Sequence, residues 1–291
     1  MTRMLFLLWL IMAGPAAAAG ALVIAGGAIA DDNEALVRAV LDRRPADRRT
    51  IAIVPAASAE PARALARTAE LFVRHGAQAD EIRPIRVALV DDPESPEDES
   101  AWAANVADDG MIATLASAGV IWFTGGDQER ILALLVGADG SETSMLAAIR
   151  SARAQGAVIA GTSAGAAIMS DPMLTGGDPV MSVAAPGADQ PGLGRGLGFF
   201  AHGLVDQHFD ARYRLPRLVR ALERLPRAAR IGFGIGEDTA MIVEAGRVLA
   251  VGRGTVTIVD ARQARPRKGE GLRLDRVSLH LLAAGQSAPL P

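Results

Sequence analysis

A serine hydroxyl becomes a nucleophile when a turn exposes it and a base removes its proton, and one stretch of this chain has the residues for such a turn. Gly161-Thr162-Ser163-Ala164-Gly165 follows the apolar run 157–160 and precedes the helix-like run 166–169. Strand, sharp turn and helix in that order make a nucleophile elbow. The serine is held in a strained conformation, and the flanking glycines are needed because a Cβ there would meet neighbouring backbone. The amide of Ala164 opens the helix and can donate to an oxyanion on a substrate carbonyl. The plainer alternative is a glycine-rich turn whose serine caps a helix.

Such a serine needs a base, and the chain has 4 histidines: His75, His202, His208 and His280. His75 ends an amphipathic helix just before Gly76, where a histidine commonly caps carbonyls, and is read as structural. His208 lies in Val205-Asp206-Gln207-His208-Phe209, where a strand-like run leaves for a helix, and strand ends are where parallel α/β sheets place their chemistry. It is the expected base. An orienting acid then comes from Gly234-Ile235-Gly236-Glu237-Asp238-Thr239-Ala240: Glu237 is the first choice and Asp238 the reserve, against the alternative of a hairpin turn with solvated acids. The order Ser, His, Glu differs from the Ser, acid, His order of α/β-hydrolases. An esterase reading would need Ser163, Asp260 and His280, and His280 falls in an apolar run expected to be a buried terminal strand or helix. A second oxyanion donor is available in Thr124-Gly125-Gly126-Asp127-Gln128, from the Gly126 amide, with Gln128 reaching substrate; the alternative there is a helix-capping turn.

Four pieces in this order, Phe123-Thr124-Gly125-Gly126-Asp127-Gln128, the elbow through Ser170, Asp206-Gln207-His208-Phe209 with Arg212, Arg214 and Arg217, and the segment 234–240, cover most of the chain. Together they resemble the cyanophycinase and peptidase E family of serine peptidases, and the arginine spacing is more similar to the cyanophycinase branch. The resemblance implies a triad of Ser163, His208 and Glu237. It also implies a substrate pocket lined by Gln128, Asp206, Gln207, Arg212, Arg214 and Arg217. The implied substrate is an aspartate-containing amide, such as a poly-aspartate bearing arginine side groups that is cut to β-aspartyl-arginine dipeptides. Arg214 and Arg217 lie three apart where a helix should begin, so guanidinium groups could clamp carboxylates there; a solvated helix face is the alternative. The chain departs from the family at Gly236, where an acid usually precedes the glutamate, and in a shorter, more apolar first glycine turn at 26–30. An aspartyl dipeptidase, or a non-catalytic binding protein on the same scaffold, remains open at this level.

The elements that must position these residues follow from the apolar runs. Strands are expected at 21–25, 51–54, 85–90, 120–123 and 157–160, with helices from Asn33, from Pro61 to Gly76, and before Gln155. That alternation gives an α/β fold: a mostly parallel sheet covered by helices on both faces. Short strands at 241–243, 248–251 and 256–259 are expected as antiparallel additions near the C-terminus. The acidic 91–100 segment reads as a solvated loop or helix lead-in, and 171–198, rich in Gly, Pro and Asp, as a long loop beside the site. Leu215, Leu218, Val219, Leu222 and Leu225 form a helical core stripe.

The 291 residues suffice for one large core, and a single domain is expected over 20–291. The opening residues, with Arg3 ahead of apolar 4–12 and alanines 16–19, read as a signal peptide over 1–19, so the protein is expected in the periplasm or secreted, with no stable membrane insertion after cleavage. A formal charge of −3 leaves no electrostatic footprint for nucleic acid. The absence of cysteine excludes disulfides and a cysteine nucleophile. No phosphate loop or metal-ligand cluster appears, so the expected chemistry needs neither metal nor cofactor; a homodimer is left open.

Overall fold

The computed structural model describes residues 19–184, 190–266 and 273–291. The expected signal segment therefore lies outside the described residues apart from Ala19.

The chain enters its core at once. Strand β1 (Leu22–Ala25) is fully buried and leads through Gly26-Gly27 to helix α1 (Glu34–Leu41), whose first turn is capped by Asn33 Oδ1 accepting from Leu36 N–H at 3.2 Å. Then come β2 (Ile51–Val54) and α2 (Pro61–Arg74), with Pro61 at the first helical position. The third strand is β3 (Ile82–Pro84), three residues upstream of the expected 85–90. A 3-10 turn at Ala79–Glu81 feeds straight into pairing with β2, while β2 leaves the sheet at Pro55, so only Ile85 N–H still reaches Ile53 O (2.9 Å). Ile85, Val87 and Ala88 are buried all the same, so the apolar run marked core rather than strand.

The acidic segment is likewise more than a solvated loop. Glu99, 1% exposed, accepts from Ala62 N–H at 2.9 Å and Asp92 N–H at 2.8 Å, so it caps α2 where Glu60 makes no capping bond. Beyond it lie α3 (Asp109–Ser117), β4 (Val120–Phe123), α4 (Gln128–Leu135), α5 (Ser144–Ala154), β5 (Val158–Thr162) and the one-turn α6 (Ala164–Ala167). The long segment that follows holds β6 (Met173–Leu174), α7 (Met181–Ala184) and β7 (Leu193–Gly194).

The remaining strands divide between two sheets. After β8 (Leu204–Asp206) and α8 (Leu215–Glu223) come β9 (Ile231–Ile235), β10 (Thr239–Glu244), β11 (Arg247–Gly252) and β12 (Thr255–Asp260). A ribbon of β13 (Arg265–Pro266) and β14 (Leu274–Asp275) precedes β15 (Ser278–Ala283) and β16 (Ser287–Pro289). The main sheet runs β16-β11-β10-β1-β5-β4-β2-β3, parallel from β1 to β3, with the antiparallel additions attached beside β1. A second sheet, β15-β12-β9-β8, was not expected from the sequence; β8 and β9 are parallel within it. One core joins the sheets, since Ile24, Phe123 and Ile159 cluster with Val205, Phe233 and Ile258. Leu218 and Leu222 of α8 are buried as the stripe required, whereas His280 is exposed on the outer strand β15 rather than buried.

Candidate active site

Three consecutive carbonyls at the end of β1 hold the chain segments that carry the expected chemistry. Ser163 N–H donates to Ala25 O at 3.0 Å, His208 N–H to Gly26 O at 2.7 Å and Asp238 N–H to Gly27 O at 2.8 Å. Ser163 follows β5 of the main sheet, while His208 and Glu237 follow β8 and β9 of the second. The site thus lies where the two sheets meet, at the carboxyl ends of parallel strands.

The side chains form one hydrogen-bonded chain. Ser163 Oγ lies 2.8 Å from His208 Nε2, and His208 Nδ1 lies 2.6 Å from Glu237 Oε1. A carboxylate only accepts, so the proton on Nδ1 faces Glu237 and Nε2 is left bare to accept from the Ser163 hydroxyl. Ser163 has φ 54° and ψ −112°, and His208 has φ 48°, conformations that L-residues hold only where the surroundings impose them. The glycines around them are close-contact positions. A Cβ on Gly161 would lie 2.3 Å from Gly165 O, and one on Gly27 would lie 2.2 Å from His208 Cε1. Gly27 therefore lies directly against the imidazole, a role that the sequence did not reveal. Burial pushes the His208 pKa below its ordinary 6.5, outweighing Glu237, which acts to raise it. The imidazole is thereby kept neutral and able to accept a proton.

The reserve acid is placed elsewhere. Asp238 Oδ1 accepts from Ala30 N–H at 2.9 Å and Asn33 Nδ2 at 2.7 Å, binding the loop before α1. At Gly236 an added Cβ would lie 2.9 Å from Asp210 Oδ2, whose carboxylate accepts from Thr255 Oγ1 at 3.0 Å. Asp210 thus brings a carboxylate to the space beside position 236.

The Gly125-Gly126 turn lies against the serine, since a Cβ on Gly125 would come within 3.2 Å of Ser163 Cβ. Gly126 has φ 141° and abuts Ala57 O. Among the described residues, neither the Gly126 nor the Ala164 amide donates a loop or turn hydrogen bond, and Ala164, first in its helix, has no intrahelical acceptor.

The six expected pocket residues have diverse surroundings. Gln128 Nε2 donates to Thr175 O at 3.0 Å, tying α4 to the long segment that follows the elbow. Asp206, 1% exposed, takes a two-pronged bond from Arg217, with Nε at 2.9 Å from Oδ2, and Arg217 Nη1 also donates to Gly177 O. Arg214 is buried and donates to the backbone and side-chain oxygens of Gln207; burial lowers its pKa to about 10. Arg214 and Arg217 are thus both engaged within the protein, as a buried cation must be paired, and Arg212 alone of the three is open to solvent.

A cleft of about 640 Å³ opens beside Ser163 and His208 on the α2 side, lined by Arg67, Thr68, Glu70, Leu71 and Arg74 together with Asp31 and Trp122. Of the six expected pocket residues, none is among those lining it. Sequence reasoning passed over α2, although Arg67, Leu71 and Arg74 recur at the spacing of one helical face.

The geometry is matched by likeness along the chain. A model of "Peptidase family S51" matches residues 21–251. A cyanophycinase of Trichormus variabilis is 34% identical over 286 residues, covering 94% of this chain and 87% of the relative. A cyanophycinase of Synechococcus elongatus is 35% identical over 243 residues, covering 81% and 68%. The fold is shared with the crystal structure of a peptidase from an acI-B1 Actinobacterium, at TM-score 0.63 and 18% identity, over 93% of this chain and 97% of that one. With the family matched from β1 through β11 and the sequence likeness running over nearly the whole length, this chain belongs to peptidase family S51, the serine peptidases of the cyanophycinase and peptidase E kind.

Proposed function

We propose that the protein is an exported serine peptidase that hydrolyses aspartate-containing amide bonds through an acyl-enzyme, acting on a cyanophycin-like polymer. The observation that carries this reading is the Ser163–His208–Glu237 chain of hydrogen bonds, in a protein 34% identical to cyanophycinases over 94% of its length. Ser163 Oγ attacks the amide carbonyl as its proton passes to His208 Nε2, and Glu237 steadies the imidazolium that forms. The tetrahedral oxyanion accepts from the Ala164 and Gly126 amides. Collapse breaks the C–N bond, His208 returns the proton to the leaving amine, and the acyl group stays on Ser163. Water, deprotonated by His208, then attacks the ester and releases the acid, which restores the serine. None of these steps calls for a metal or organic cofactor.

Export is supported by the sequence of 1–19 and by Gly20, which is buried and donates its N–H to Arg153 O at 2.9 Å, so that cleavage after the exposed Ala19 leaves the core intact. A polymer too large to enter a cell must be cut outside it. Incubation of the chain from Gly20 onward with cyanophycin, aspartyl dipeptides and β-aspartyl dipeptides tests the substrate, with release of β-aspartyl-arginine expected from the first. Turnover of dipeptides alone would make it an exopeptidase. Ser163→Ala should lower turnover by roughly 10⁴-fold or more without unfolding the protein. Retained turnover in that variant would discard the serine mechanism.

A further inference from the structure

Helix α2 presents charged groups to the cleft beside Ser163 that the chain itself leaves unmatched. Arg67 and Arg74 both line it, both are exposed, and among the described residues neither forms an ion pair or side-chain hydrogen bond. Most other arginines near the site are engaged: Arg214 with Gln207, Arg217 with Asp206, Arg253 with Asp32. The helix that carries the two is held firmly. Phe72 packs edge-on against Trp122 at 5.3 Å between ring centroids, and Glu99 caps the first turn. Trp122 also lines the cleft, is 2% exposed, and its indole N–H has no acceptor among the described residues, a buried donor of the kind that calls for a partner.

Resting on the function proposed above, we infer that α2 is a subsite for substrate carboxylates beyond the scissile bond, and that it selects oligomeric acidic chains over dipeptides. The two guanidinium-bearing positions are seven residues apart on the helix, about 10 Å along its axis. An extended chain covers that distance in about three residues. A dipeptide with its amide at Ser163 reaches one of the two arginines at most, whereas an anionic oligomer lying along the cleft reaches both. Arginine suits the task because its planar fork meets a carboxylate through two hydrogen bonds. Glu70 and Asp31, on the same walls, would disfavour a ligand whose carboxylates are out of register.

The test is direct binding to the Ser163→Ala protein, which removes turnover from the measurement. Fluorescence anisotropy with a labelled oligo-aspartate, and with an oligo-asparagine of the same length as the neutral probe, would be read for Arg67→Gln, Arg74→Gln and the pair. Glutamine keeps helix propensity, and the urea midpoint of each variant reports that the fold is intact. Each single change should weaken oligo-aspartate binding about fivefold and the pair more than tenfold, with the neutral probe unmoved. Unchanged oligo-aspartate affinity in the pair, or an equal loss on both probes, would overturn the subsite. Arginine-dependent binding in a protein that cleaves no aspartyl amide would instead sink the proposed function while the subsite stands. Cleavage with arginine-independent binding would do the reverse.

Discussion

At the scale of single residues, the site depends as much on what is missing at Gly27 as on what is present at Ser163. The imidazole of His208 occupies the space a side chain at 27 would need, with Cε1 only 2.2 Å from the ideal Cβ, and Gly27 itself has φ 111°. Gly27→Ala should therefore displace His208 from the serine and lower kcat/KM by roughly 10²-fold or more, since small misplacements of a catalytic group are that costly. Full activity in this variant would show that the imidazole moves freely. The two adjacent acids should separate cleanly. Glu237→Gln should depress turnover, because among the described residues it is the acid that reaches Nδ1, while Asp238→Asn should cost mainly stability through the loop it binds. Reversed effects would exchange their roles. The pH dependence has a definite sign. Because burial holds His208 below its ordinary 6.5, the base is neutral over a wider range, and kcat/KM should rise with pH through an apparent pKa below 6.5 and then level off. The folded state binds this proton less well than the unfolded chain, so the associated stability is full above 6.5 and is lost as pH falls through the window beneath it. An acid limb centred above 6.5 would contradict the burial argument.

At the scale of elements, the three arginines ahead of and within α8 have different surroundings despite lying within six residues of one another. Arg217 joins α8 to β8 through the buried carboxylate of Asp206, and removing it takes away both close hydrogen bonds to that carboxylate and leaves only the looser Arg214 guanidinium at 3.7 Å. Arg217→Ala should cost about 3 kcal/mol or more of unfolding free energy by urea titration, whereas the exposed Arg212→Ala should stay within about 0.5 kcal/mol. Equal stabilities would remove the ion pair from the list of supports. The sequence could not show this division, because the i, i+3 spacing of Arg214 and Arg217 is the same whether a guanidinium meets a substrate or a buried aspartate. Where local pattern does decide, reading was accurate: Ile51–Val54 and Val120–Phe123 are continuous apolar runs bounded by turn residues, and they are strands over those residues. The elbow at Ser163 was legible for the same reason. The second sheet was not, since β9 and β12 carry the apolar alternation of any strand and nothing local names the partner. The cap supplied by Glu99 and the place of α2 at the cleft were not legible for a related reason: an acid in an acidic loop, or an arginine on an amphipathic helix, acquires its role only when a distant segment packs against it.

At the scale of the whole molecule, the chemistry requires two sheets to hold one geometry, which makes their mechanical coupling a functional matter. The serine is fixed to the main sheet and the histidine and glutamate to the second, so independent movement of the two would stretch a 2.8 Å hydrogen bond. Two features oppose this. The carbonyls of Ala25, Gly26 and Gly27 bind segments leaving both sheets, and one apolar cluster contains residues of each. Chains of this size often unfold in parts, yet a boundary here would have to cut a shared core, which is far costlier than separating polar domain faces. Residues 20–291 should accordingly melt as one unit. The chain offers its own probes. From Gly20 onward its tryptophans are Trp102 and Trp122, both packed in the layer of the main sheet against α1 and α2, so fluorescence follows that half while far-ultraviolet circular dichroism follows both. The two signals, and the loss of hydrolysis, should share a single thermal midpoint, with the calorimetric enthalpy equal to the van't Hoff value. A dichroism transition that precedes the fluorescence change, with activity lost in the earlier step, would mean that the second sheet unfolds on its own and carries His208 and Glu237 away from a serine still in place.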